Sequence, residues 1–208
     1  TIIAYGARFT WQGDGKMFVL NDNVDYNDLP NEPYNNFVNN VRWHGGFWDA
    51  GRDGKSSNAT GVALEFGNCR MSSVTEQWTR NLRTAVQFFG TGTISISKGN
   101  YRNYQRAIYN YAAGDALVLA QDVVIEGNNF SLIGESPAPS VTPWAVKCDG
   151  WISGWTLREN TVAINHGGMW SFPSGSNRGG EQKETKDVHA VRNFCEQSVD
   201  ARYIHCFQ

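Results

Sequence analysis

Charge is scarce in this chain. Asp, Glu, Lys and Arg make up 18% of its 208 residues, below the roughly 25% usual in soluble domains. The net charge of −2 supplies no basic field, so nucleic acid and an anionic membrane are not implied as partners. Apolar runs are short. None approaches the roughly 18 residues of a membrane-spanning helix, so membrane insertion is not expected. Helical periodicity is weak, with room for one short helix around residues 76–84. Cys69, Cys148, Cys195 and Cys206 are too few for a disulfide scaffold and lack zinc spacing. Cys69 and Cys148 each precede a strand-like run and read as small core residues. His44, His166, His189 and His205 show no metal spacing, and the Gly-rich stretches do not lead into helices. No metal, cofactor or phosphate loop is indicated.

Short β-branched strands and polar corners are abundant. Gln121-Asp-Val-Val-Ile-Glu-Gly-Asn-Asn-Phe-Ser-Leu-Ile133 is the clearest case. Val123, Val124 and Ile125 are stiff at χ1 and suit a pleated surface. Gly127 and two asparagines supply a sharp bend. The pattern recurs at Val41–Trp48, Cys69–Glu76, Thr93–Tyr101 and Trp151–Leu157. Registered on the corner, Gly45, Val74, Gly99, Gly127 and Gly154 form one column, with a period of 25–29 residues. A fixed period of this size, built of short strands, marks a solenoid. The expectation is therefore an all-β chain, a single β-helix domain over 1–208. Polar or Pro-rich excursions are expected near 21–36, 50–60, 134–143 and 167–187.

Two segments carry a family resemblance. Ile2-Ile-Ala-Tyr-Gly-Ala-Arg-Phe9 resembles the early coil of pectin-lyase-like proteins. Val41-Arg-Trp-His-Gly-Gly-Phe-Trp-Asp49 resembles the Gly-Gly-x-Trp-Asp segment of polygalacturonase-like and phage tailspike β-helices. The resemblance covers nearly the whole chain at the level of coil pattern and implies a right-handed parallel β-helix. The Asn-Thr-Asp, Asp-Asp, Gly-His-Gly and Arg-x-Lys set of polygalacturonases is missing, and so is the acidic cluster of calcium-dependent pectate lyases. The tailspike type remains nearest. It implies a protein of the virion tail or extracellular space, often a homotrimer, that grips a bacterial surface polysaccharide and in some cases hydrolyses it. A non-catalytic β-helical adhesin or structural module, or a secreted polysaccharide lyase or hydrolase, are the alternatives. Such proteins usually open with a capping segment, whereas Thr1 starts inside a coil and Gln208 stops inside one. The expectation is a piece of a longer polypeptide, or ends covered by neighbours.

The register converts into expected chemistry, because equivalent residues of successive coils stack about 4.8 Å apart. The position before the corner carries His44, Ser73, Lys98, Glu126 and Ser153. Lys98 and Glu126 then form either a surface ion pair or part of a polar strip for a glycan. Glycoside hydrolysis normally uses two carboxyl groups. The candidates near the corner are Glu76, Glu126 and Glu159, the last two on neighbouring coils, with Asp49 and Asp53 in a nearby loop. Phe47, Trp48, Trp78, Tyr101 and Trp155 follow the corner closely. Alternation places about half of them in the core and leaves the rest to stack on sugar faces. The expected glycan-binding residues are Trp48, Trp78, Lys98, Tyr101, Trp155 and His44.

Overall fold

The computed structural model describes residues 1–11, 13–20, 38–50, 60–67, 69–111, 119–132, 142–164, 167–172, 177–178, 181–182 and 185–197. Within them the chain winds through successive coils, most of three strands. The first coil holds β1 (Ile2–Ile3), β2 (Arg8–Thr10) and β3 (Lys16–Leu20). The second holds β4 (Val38–Asn39), β5 (Arg42–His44), β6 (Phe47–Asp49) and β7 (Thr60–Gly67). The third holds β8 (Cys69–Thr75), β9 (Trp78–Arg80) and β10 (Leu82–Phe89), and the fourth β11 (Gly92–Ser97), β12 (Asn100–Arg102) and β13 (Arg106–Asn110). The fifth has β14 (Leu119–Glu126), β15 (Asn129–Leu132) and β16 (Trp144–Cys148). The sixth has β17 (Trp151–Arg158), β18 (Thr161–Ile164) and β19 (Gly168–Ser171). A short antiparallel pair, β20 (Asn177–Arg178) with β21 (Glu181–Gln182), precedes β22 (Thr185–Val191) and β23 (Phe194–Gln197).

Like strands of successive coils pair in parallel and build three sheets. The first runs β1-β5-β8-β11-β14-β17-β22, with β4 also on β8. The second runs β2-β6-β9-β12-β15-β18-β23, and the third β3-β7-β10-β13-β16-β19. This all-β stack of parallel strands is consistent with a parallel β-helix. Residues 76–84 contribute strands, not the short helix that weak periodicity allowed. The expected excursion beginning at 167 starts later, because Gly168–Ser171 pairs with β16 as the edge of the third sheet. Residues 21–36, 51–59 and 134–141 of the other expected excursions lie outside the described residues.

Inward-facing residues align across coils. Trp43, Val74, Ile96, Ile125 and Leu157 form one buried column of the first sheet. Trp48, Thr79, Tyr101, Phe130 and Val162 do the same in the second sheet. Leu64, Val86, Ile108, Val146 and Trp170 do so in the third. The core is the space enclosed by these three columns.

The corner between the first and second sheets differs from the expected register. Its left-handed residues are Gly45, Glu76, Lys98, Gly127, Glu159 and Arg192, with φ between 51° and 76°. Backbone N–H groups at these positions donate across coils, as from Gly45 to Thr75 and from Lys98 to Glu126. Val74 lies two residues before this column and Gly99 one residue after it. Gly154 belongs to a different left-handed column inside the first sheet, with Asn40, Met71, Thr93, Asp122 and Asp187. Coil length is not constant: 22 residues separate Glu76 from Lys98, and 33 separate Glu159 from Arg192.

The residue after the corner carries a ladder of buried or half-buried asparagines. Asn128, Asn160 and Asn193 donate through Nδ2 to the carbonyls of Ile96, Ile125 and Leu157, each at 2.9 Å. Their Oδ1 atoms accept from the backbone N–H of the preceding coil at Gly99, Asn128 and Asn160, at 2.8, 3.1 and 3.1 Å. Each amide therefore satisfies two backbone groups that the bend leaves without sheet partners.

Candidate functional site

A cleft of about 370 Å³ opens where the first three coils turn from the first sheet into the second. Tyr5, Gly6, Ala7 and Arg8 line it from the first coil, Gly45, Gly46 and Phe47 from the second, and Glu76 and Trp78 from the third. Arg8, Phe47 and Trp78 are ladder partners on the outward face of β2, β6 and β9. Trp78 is 54% exposed and Tyr5 59%. The guanidinium carbons of Arg8 and Arg80 lie 5.5 and 5.8 Å from the centre of the Phe47 ring. Both arginines also reach the buried carboxylate of Asp49, Arg80 at 2.5 Å and Arg8 at 3.6 Å, which holds the edge of the cleft in place.

Tyr5 crosses a whole coil. Its hydroxyl donates to the Glu76 carboxylate two coils away. That bond, with smaller contributions from desolvation and from the charge of Glu76, raises the phenol above its ordinary pKa. The crossing needs an empty position on the intervening coil. Gly45 supplies it: a Cβ there would stand 2.6 Å from the Tyr5 ring. The result is a wall of exposed aromatic faces beside one carboxylate and one guanidinium. Aromatic rings offer apolar faces to the C–H faces of a sugar, while Glu76 and Arg8 offer an acceptor and donors to hydroxyls.

The other expected site residues fall elsewhere. Trp48, Tyr101 and Trp155 are fully buried, so their assignment to glycan binding is corrected: a sugar face cannot reach them. Trp48 stacks on Phe9 at 4.2 Å, Tyr101 lies against Phe130, and Trp155 packs between Phe88 and Phe172 and donates to the Ala120 carbonyl. Glu126 pairs with Arg158 at 2.8 Å, and Glu159 with Arg192 at 2.8 Å. Glu126 thus takes Arg158 of the next coil in place of the expected Lys98, because Ser97, not Lys98, is its ladder partner. Glu126 and Glu159 are each held by an arginine of the following coil, and the charge of Glu159 is also felt by Arg158. Lys98 is exposed at the corner, next to Glu76 in the left-handed column. His44 is ladder partner of Thr75, and its Nδ1 lies 2.5 Å from the Thr75 hydroxyl. Asp53, His166 and His205 lie outside the described residues.

Sequence reasoning brought Glu76 and Trp78 to this site and missed Tyr5, Arg8 and Gly45. The signal for Phe47 was present in Phe47-Trp48, where alternation requires one ring out and one in. Among the described residues no group of three His, Cys, Asp or Glu side chains is placed to hold a metal ion, and no helix is long and apolar enough to cross a membrane. Compared with known proteins, the chain matches no protein-family model, no curated protein and no solved structure.

Proposed function

We propose that this chain is a right-handed parallel β-helix of the phage tailspike or tail-fibre type, and that it recognises a bacterial cell-surface polysaccharide. The observation that carries the reading is the cleft: Tyr5 and Trp78 offer exposed rings beside the half-buried Phe47 and the exposed Glu76 and Arg8. Large rings exposed together beside polar groups mark a binding surface. Right-handed winding is supported by the hand that about 98% of parallel crossovers take. A place on a virion tail and assembly as a homotrimer follow from the same resemblance and belong to the proposal.

Recognition without cleavage is the form of this reading that the cleft favours. Glycoside hydrolysis uses two carboxyl groups about 5–5.5 Å apart for retention or about 6.5–9.5 Å apart for inversion. Among the described residues Glu76 is the one acidic residue lining the cleft, and Glu126 and Glu159 are engaged by arginines away from it.

The test is incubation with purified polysaccharides from candidate host cells, followed by binding and by chain length. Binding with unchanged chain length is expected, and Trp78→Ala weakens it by about tenfold or more, a stacked ring contributing on the order of 1–2 kcal/mol. Binding that survives Trp78→Ala and Tyr5→Ala unchanged removes the cleft from the reading. Shortened chains restore a catalytic function, and Glu76→Gln then shows whether the cleft performs it.

A further inference from the structure

The corner between the second and third sheets gathers positive charge on two adjacent coils. Arg80 and Arg83 flank it on the third coil, Arg102 and Arg106 on the fourth. Arg80 and Arg102 are ladder partners facing outward, so their side chains start about 4.8 Å apart. Gln105 donates to the Arg83 carbonyl, which sets Arg106 one residue beyond Arg83 on the neighbouring coil. The turn itself is made by Asn81 and Asn103, at φ 62° and 51°, and these carry no charge to offset the arginines.

The four guanidiniums are unequally satisfied. Arg80 has Asp49. Arg102 donates, among the described residues, to the Asn100 amide oxygen alone, at 3.3 Å. Arg83 donates to the Asp14 carbonyl at 3.2 Å, and the guanidinium carbon of Arg106 lies over the Tyr109 ring, 3.9 Å from its centre. Among the described residues no carboxylate forms an ion pair with Arg83, Arg102 or Arg106. The Nε–H groups of both Arg83 and Arg106 are buried without an acceptor among the described residues. Burial, and after it the charge of Arg83, depress the Arg106 pKa, against the opposing pull of Tyr109 and Asp149. Desolvated like charges with idle donors are costly. An oxyanion seated beside the two guanidiniums offsets their like charge, because arginine matches carboxylate, sulfate and phosphate.

Sheet geometry joins this corner to the cleft. Trp78 and Arg80 are two residues apart on β9 and face outward together, as do Asn100 and Arg102 on β12. A polymer seated on Trp78 and running along β9 reaches Arg80 within a single short strand. Resting on the polysaccharide reading above, we infer that the ligand is an acidic polysaccharide whose oxyanion substituents are held at the sheet corner by Arg83 and Arg106, with Arg80 and Arg102 along the approach.

The experiment measures binding of the full chain to polygalacturonate, dextran sulfate and a polyglycerol phosphate, against neutral dextran and a single-stranded oligothymidylate, at low and high salt. At least one acidic glycopolymer or phosphate polymer is expected to bind about tenfold or more tightly than dextran, and to weaken with salt. The arm that binds best identifies the group. Arg83→Gln with Arg106→Gln abolishes this preference while binding through the Trp78 cleft persists. Circular dichroism and the melting temperature show that the double variant folds, and the exposed Arg102→Gln gives a smaller loss in the same direction. Equal binding of acidic and neutral polymers, or a preference that survives the double variant, overturns the inference and leaves the polysaccharide reading standing. Oligothymidylate bound as tightly as the acidic glycans shows recognition of charge alone and overturns the assignment to a glycan. Failure of every polymer, neutral ones included, overturns the polysaccharide reading along with the inference.

Discussion

Trp48 and Trp78 sit on adjacent strands of one sheet, and their ladder positions differ by a single residue. Trp48 is enclosed by Phe9, Phe18 and Trp43, whereas Trp78 is 54% exposed. Removing the first leaves a large cavity, so Trp48→Ala costs about 3–5 kcal/mol, while Trp78→Ala stays within about 1 kcal/mol. Urea unfolding followed by far-UV circular dichroism separates the two, and equal losses refute the outward placement of Trp78. Backbone conformation makes a second contrast at this scale. The left-handed column within the first sheet is occupied by Asn40, Asp122, Gly154 and Asp187, residue types that accept positive φ, but also by Met71 and by Thr93 at φ 55°. A β-branched side chain is the worst choice there, and an ordinary L-residue already costs about 1–2 kcal/mol. Thr93 is exposed, so no packing is lost on replacement. Thr93→Asn is expected to raise the melting temperature by about 2–4 °C, the shift that 1 kcal/mol produces in a domain of this size. A lower melting temperature refutes the account of strain.

At the scale of the element, the asparagine ladder fixes the spacing of the last coils and explains where it stops. The ladder ascends from Asn193 through Asn160 and Asn128 to the N–H of Gly99. The next position cannot carry an asparagine, because a Cβ on Gly99 would lie 2.3 Å from the Tyr101 hydroxyl oxygen. One coil earlier the same position holds Gln77, buried with neither amide atom hydrogen-bonded among the described residues. Asn160→Ala strips the acceptor from Asn128 and the donor from Ile125, and is expected to cost about 2–4 kcal/mol, from more than one buried polar group left unpaired. The check is the urea midpoint; a loss under about 0.5 kcal/mol shows that the amide is not structural. The same element shows how far the sequence was legible. Strands and their corners were readable from β-branched runs ended by Gly and Asn, and with them the parallel stack. Register was not, because the left-handed corner position is filled by Gly, Glu, Lys and Arg alike, and coils lengthen without disturbing it. Asparagine one residue later is the better marker: Gly127-Asn128, Glu159-Asn160 and Arg192-Asn193 align the last three coils correctly. The cleft was half legible for the same reason. Trp78 and Glu76 stood out near a corner, but Tyr5 reaches Glu76 across a coil through the space above Gly45, and no linear spacing encodes such a contact.

For the molecule as a whole, enclosing three sheets around one core buries phenols along with the aliphatic columns. Tyr101 and Tyr104 are fully buried, and among the described residues neither hydroxyl has a hydrogen-bond partner. Burial pushes both phenols well above the ordinary tyrosine value, because a phenolate there would lose its water without gaining a donor. Tyr109 is raised too, by burial first and then by its bond to Asp149. The sign follows from linkage. The folded pKa values exceed the unfolded ones, so the stability tied to the neutral phenols is complete below the unfolded value near 10 and is lost as pH climbs from there towards the folded values. Above pH 10 or so, Tyr101 and Tyr104 each remove about 1.4 kcal/mol per pH unit. The urea midpoint should therefore be flat from neutral pH to about 9 and fall steeply beyond 10, with the phenolate absorbance of these residues rising together with the loss of far-UV circular dichroism. Tyr101→Phe separates this cause from general alkaline damage. It deletes a hydroxyl without a partner among the described residues, so stability at neutral pH holds or improves, and it removes one of the two fully buried phenols, so the alkaline slope becomes shallower. A Tyr101→Phe variant whose slope matches the parent, or a phenolate signal that saturates while the strands persist, refutes the burial of these phenols as the source of alkaline instability.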